Sequence, residues 1–150
     1  MPALLRFVLW VCLGGWIGAW FLFAFGVAPV AFRLPSPELG GQVVGPVLTA
    51  LHLYGGIAGL VLAGVAAALG RGRLTIALPL LLSAVCFISQ FAVTAAVAEV
   101  RPQDLGPESA PDAAARFAFL HQLSMILYTV VGVGAIALAV LHARADTRDG

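Results

Sequence analysis

The stretch PVLTALHLYGGIAGLVLAGVAAALG, from Pro46 to Gly70, contains no Asp, Glu, Lys or Arg. It is longer than the roughly 20 residues that a helix needs to cross about 30 Å of hydrocarbon. Strands of a membrane barrel alternate apolar and polar residues, whereas this run is continuously apolar. It therefore predicts a transmembrane helix. Near its start it carries one imidazole, that of His52.

The whole chain has the same character. It is 61% hydrophobic and 10% charged, with a mean hydropathy of +1.03, so it has too few polar residues to cover a water-soluble domain. The charges leave four long uncharged runs, which predict spans at about 7–32, 40–69, 74–98 and 117–141. We expect one transmembrane domain over residues 1–150, with the lipid bilayer as its surroundings.

The connections between these runs are short, which constrains the topology. The second and third runs are separated by GRGR, so their helices must be antiparallel neighbours. The first run is too long for the core of a signal peptide, and we expect a retained anchor. The predicted fold class is all-α, an up-and-down four-helix transmembrane bundle.

Arginine predicts the orientation, because the chain has no lysine. Five arginines lie on the side of the two termini: Arg6, Arg71, Arg73, Arg144 and Arg148. Three lie on the other side: Arg33, Arg101 and Arg116. This asymmetry predicts cytoplasmic termini. The net charge of +1 and the lack of a basic tract give no indication of nucleic-acid binding.

A weak internal repeat relates the two halves of the chain. FGVAPVAFR, which begins at Phe25, resembles FAVTAAVAEVR, which begins at Phe91. Each is followed by a helix-start signal and then by a Leu-His pair, in TALHLYGG and AFLHQLSM. The repeat predicts two pseudo-equivalent helical hairpins. His52 and His121 would then lie at similar depth and face each other across the bundle.

Other polar residues are expected at this depth. Gln90 lies on the third helix at the level of the histidines, and Ser124 and Tyr128 follow His121 at helical spacing. Gly56 follows His52 by one turn, which leaves room beside the imidazole for a neighbouring helix or for a flat ligand.

Two interpretations of the histidines follow. In one, His52 and His121 hydrogen-bond to Gln90, Ser124 or a backbone carbonyl and hold helices together. In the other they are a pair of ligands for haem b or for a metal such as copper, to which Met125 would add a soft ligand. The candidate cofactor site then comprises six residues, with the two histidines as metal ligands: His52, His121, Gln90, Ser124, Tyr128 and Gly56.

A third class of function, passage of a small solute, has less support because four helices enclose little space. We find no support for hydrolase or transferase chemistry, since no serine or cysteine nucleophile has a recognisable base beside it, and the sequence favours a protein that is not an enzyme. Seven glycines could allow close helix contacts within the protomer or in a homodimer, and we expect the first use: Gly14, Gly15, Gly18, Gly55, Gly59, Gly132 and Gly134.

Four segments carry a family resemblance: LGGWIGAWFLFAFGVAPVAFRL, VVGPVLTALHLYGGIAG, SQFAVTAAVAEVR and RFAFLHQLSMILY. Together they resemble the bacterial membrane proteins related to eukaryotic transmembrane protein 205, up to about Ala143. That family is similar to a wider set that includes copper-resistance protein D and a haem-associated protoporphyrinogen oxidase. The resemblance implies a four-helix protein of the bacterial inner membrane, and Tyr128 stands where relatives often have asparagine.

Overall fold

The computed structural model describes residues 2–100 and 111–147, except for the side chains of residues 37, 38 and 111. These residues form four long helices and no strand: α1 (Pro2–Ala31), α2 (Pro37–Ala68), α3 (Arg73–Glu99) and α4 (Pro111–Asp146). Each is long and apolar enough to cross a membrane. The predicted all-α integral membrane bundle is confirmed.

All four helices run further than the uncharged sequence. α1 begins before Arg6, and α4 includes Asp112, Arg116 and Arg144. A helix does not end where the hydrocarbon ends, since charged side chains are tolerated in its terminal turns. The predicted spans therefore mark the apolar centre of each helix rather than its ends.

The four helices form a closed ring. Each packs against the next, α2 against α3 most extensively, and α4 contacts α1. The core consists of side chains from all four helices, spaced three or four residues apart along each: Leu9, Leu13, Trp16, Ala58, Leu62, Val65, Leu82, Cys86, Val131, Ala135 and Leu138.

Two local signals position the ends of α2. Ser36 caps its start, where the side-chain oxygen accepts from Leu39 N at 3.4 Å. At its other end Gly70 has φ +67°, and the N–H groups of Gly70 and Arg71 bond back to Ala67 O and Ala66 O, each at 3.0 Å. This Schellman motif needs a residue that tolerates positive φ. It turns the chain sharply and directs Arg71 to the end of the bundle.

Each half of the chain contains a π-helical segment at the same place in the repeat. These segments are Phe23–Val27 in α1 and Ser89–Thr94 in α3. In the alignment that pairs Phe25 with Phe91, the first residues of both segments coincide. Since π segments are rare and occur often at functional sites, this agreement supports the predicted pseudo-repeat.

Glycines allow the helices to approach closely inside the bundle. A Cβ at Gly59 would lie 2.6 Å from Pro79 O, and one at Gly132 would collide with the indole of Trp20. By contrast, a Cβ at Gly14 or Gly18 would meet no atom within 4 Å. Gly59 and Gly132 therefore allow close helix contacts within the protomer, whereas Gly14 and Gly18 face outwards.

Candidate functional site

His52 lies in the interior of the bundle. His52 is only 5% exposed, and its side chain borders a cavity of about 10 Å³ that residues of all four helices line. A cavity of this size accommodates one water molecule at most. The neighbouring side chains are Trp16, Trp20, Leu51, Cys86, Tyr128 and Val131.

Gln90 of α3 is the polar neighbour of this imidazole, as its position predicts. Its Nε2 donates to Thr49 Oγ1 at 3.4 Å, a bond that links α3 to α2. Within residues 2–100 and 111–147, His52 Nδ1, Gln90 Oε1 and Ser89 Oγ are buried without a partner in hydrogen-bonding geometry. Each such group costs about 1–3 kcal/mol of folding free energy.

The space beside Gly56 is filled by a neighbouring helix. A Cβ at Gly56 would lie 2.6 Å from Cζ of the Phe87 ring. One turn earlier on α3, Ser83 Oγ donates to Gly56 O at 2.6 Å, so α3 packs directly against the backbone of α2. The space beside Gly56 was expected to hold either a neighbouring helix or a flat ligand. It holds the neighbouring helix α3, and no room for a flat ligand is left there.

The structure does not bring His121 to His52. His121 is exposed on α4, where its ring stacks on that of Phe117 with centroids 6.0 Å apart. The prediction that the two histidines face each other is wrong. The reason is the way in which α4 packs. None of residues 112–130 is fully buried, whereas the stripe that begins at Val131 faces the core. His121 therefore lies on the part of α4 that the other helices cover least.

Tyr128 is the one residue near His121 that reaches the His52 cavity. Its hydroxyl donates to Trp20 O at 2.6 Å, and Trp20 Nε1 donates to Tyr128 O at 3.0 Å. The two rings stack with centroids 5.3 Å apart. This reciprocal bridge joins α1 to α4 one turn before the π segment of α1. Ser124 is half-buried, and Met125 is 52% exposed, so it does not join His52 as a soft ligand.

A cofactor bound by the predicted residues would need a different arrangement. A bis-histidine haem requires both imidazoles on one porphyrin, yet of the two predicted ligands only His52 faces the interior. Among the described residues no three His, Cys, Asp or Glu side chains form a group that could hold a metal ion. The residues present do not fit a bis-histidine haem or a metal centre of that kind.

The comparisons with known proteins give no match. No protein-family model, curated protein or solved structure matches this chain. The resemblance to the bacterial relatives of transmembrane protein 205 stays a prediction from the quoted motifs.

A second polar cluster, which the sequence analysis did not predict, closes the end of the bundle where α2 turns into α3. Arg71 is buried there, and its guanidinium donates to His142 Nδ1 at 2.6 Å and forms a salt bridge with Asp146. Asp146 also accepts from Trp10 Nε1 at 3.0 Å and lies 3.5 Å from Arg6 Nε. The cluster ties together α1, the turn at Arg71 and the end of α4.

The hydrogen bonds of this cluster determine the tautomer of His142 and favour its neutral form. A guanidinium can only donate, so Nδ1 of His142 accepts and the ring proton lies on Nε2. His142 is fully buried, and within the described chain its Nε2 and Arg71 Nε have no hydrogen-bond partner. A neutral imidazole avoids placing a second positive charge beside Arg71.

A sequence signal for His142 does exist. It continues the buried stripe of Val131, Ala135 and Leu138 at the next helical step, and Asp146 follows one turn later. The signal is weak because His142 comes directly after the uncharged run, where a polar residue normally marks the start of a tail.

Proposed function

We propose that this chain is a structural membrane protein in which interior polar side chains hold the helices together. The observation that carries the proposal is the small size of the cavity at His52, about 10 Å³, which residues of all four helices line. Phe87 fills the remaining space beside Gly56, and His121 faces outwards. The interior thus supports interhelical contacts rather than a cofactor or a route for a solute.

His52→Ala and His121→Ala test this proposal as a matched pair. Removing the enclosed imidazole leaves a cavity among packed side chains, so we expect His52→Ala to lower the free energy of unfolding by about 2 kcal/mol. The exposed imidazole contributes little, and His121→Ala should change it by less than about 0.5 kcal/mol. Unfolding in mixed micelles by added SDS, followed by circular dichroism, measures both. Equal losses in the two variants would contradict the proposal.

The proposal includes a location in the inner membrane of a bacterium, with both termini in the cytoplasm. The orientation is supported by the distribution of arginine, since Arg6, Arg71, Arg73 and Arg144 lie at one end of the bundle and Arg33 and Arg116 near the other. Alkaline phosphatase fused after the last residue tests the orientation. Cytoplasmic termini predict an inactive fusion, and an active one would reverse the orientation.

A further inference from the structure

A groove between α1 and α2 lies on the outside of the bundle, next to the wall of the His52 cavity. Its volume is about 270 Å³, close to the lower limit of about 300 Å³ for small-molecule pockets. The groove follows the π segment of α1 and the first half of α2, and its lining includes Ala19, Phe23, Val27, Val47, Ala50 and Tyr54.

We propose that this groove binds one acyl chain of an anionic phospholipid and that Arg33 binds the phosphate of the same molecule.

The chemistry of the lining selects a hydrocarbon. Apart from Tyr54, the side chains that border the groove are aliphatic or Phe. The hydroxyl of Tyr54 already donates to Cys12 O at 3.2 Å. A polar head group placed among these residues would therefore lose its hydrogen bonds to water and find no free donor among these side chains, at a cost of several kcal/mol. An acyl chain has no such groups to lose.

The position of the groove gives access to lipid. It lies between two helices that are long enough to span a membrane. Beside it, α1 carries Leu22 and Phe25, which are 67% and 72% exposed. The groove is therefore open sideways to the bilayer, from which a chain can enter without crossing the bundle.

Arg33 supplies the charge that distinguishes one class of lipid from another. It lies just beyond the end of α1, six residues after Val27 in the groove, which at helical rise is about 9 Å. Arg33 is exposed, and its guanidinium can donate two parallel hydrogen bonds to a phosphate. The start of α2 packs beside it, since a Cβ at Gly40 would lie 3.1 Å from Ala31 O. The cation thus lies beyond the end of the helix that forms one wall of the groove.

Native mass spectrometry of the full chain released from detergent tests the proposal. The probes are phosphatidylglycerol and phosphatidylcholine with identical acyl chains. Ala50→Phe fills the groove, and we expect it to weaken the binding of phosphatidylglycerol by about tenfold or more. Ala67→Phe is the matched control, because Ala67 is exposed on the same helix but lies away from the groove. Arg33→Gln should bring the affinities for the two lipids to near equality.

Three results would overturn the proposal. One is unchanged binding of phosphatidylglycerol in Ala50→Phe, another is an undiminished preference for it in Arg33→Gln, and the third is a dimer that replaces the lipid adduct in the unmodified chain. Photolabelling of the unmodified chain tests the site without substitutions, so its result does not depend on whether the variants fold. Phosphatidylglycerol with a photoreactive group in its acyl chain should label residues 19–27 and 47–54, and labelling spread evenly over all four helices would contradict the site.

Discussion

Asp146→Asn tests the polar cluster that closes one end of the bundle. The carboxylate of Asp146 forms a salt bridge with Arg71, whose side chain is 2% exposed. It also accepts a hydrogen bond from Trp10 and pairs with Arg6, whose side chain is 41% exposed. Asparagine has nearly the same shape as aspartate and keeps one acceptor oxygen. The substitution therefore removes the negative charge with little change in packing.

The magnitude follows from the burial of the two partners. Removing one member of a buried ion pair costs about 3–5 kcal/mol, since the remaining charge stays in a medium of low dielectric constant. Because the side chain of Asp146 is 24% exposed, water reaches the pair and the lower end, about 3 kcal/mol, applies. The more exposed pair with Arg6 adds less than about 1 kcal/mol. The bond from Trp10 can persist to the asparagine oxygen.

SDS titration in mixed micelles provides the free energy of unfolding. Asp112→Asn is the matched control, because it makes the same change in the first turn of the same helix at an exposed position. There the loss should be below about 1 kcal/mol, the usual interaction with a helix dipole. The double variant Arg71→Met/Asp146→Leu should recover most of the loss, since no unpaired charge remains. A loss in Asp146→Asn no larger than in Asp112→Asn would refute the assignment of a buried ion pair.

Two further substitutions test contacts in the interior by the same titration. Tyr128→Phe removes the hydrogen bond to Trp20 O and should cost about 1 kcal/mol, while a variant as stable as the parent would show that this bond contributes nothing. Gly132→Ala should cost about 1–3 kcal/mol because its Cβ collides with Trp20. Gly14→Ala, whose Cβ meets no atom within 4 Å, should be neutral or stabilising, and equal effects at the two glycines would contradict the packing described.

The fold could be predicted from the sequence because it depends on properties of each segment alone. An uncharged run of sufficient length predicts a spanning helix wherever its neighbours lie, and the short turn at Gly70 requires adjacent helices. The similarity of the segments at Phe25 and Phe91 was informative as well, because the π segments coincide in that alignment.

The candidate site depended on how the helices rotate about their axes, which the sequence indicates poorly. Phe87 fills the space beside Gly56 only because α3 turns that face towards α2. His121 shares a helical face with Tyr128, yet it is exposed because the first half of α4 is sparsely covered. Depth in the membrane can thus be predicted from position along a run, whereas burial at that depth requires the tertiary contacts.

The absorption spectrum of the purified chain tests the tightly packed interior at His52 most directly. The full chain is expressed with haem supplied, purified in mild detergent and measured in the oxidised and reduced states. A cavity of about 10 Å³ and an outward-facing His121 predict no Soret band in either state. A Soret band that disappears in both His52→Ala and His121→Ala would contradict the account, because it would require the two imidazoles to face one porphyrin.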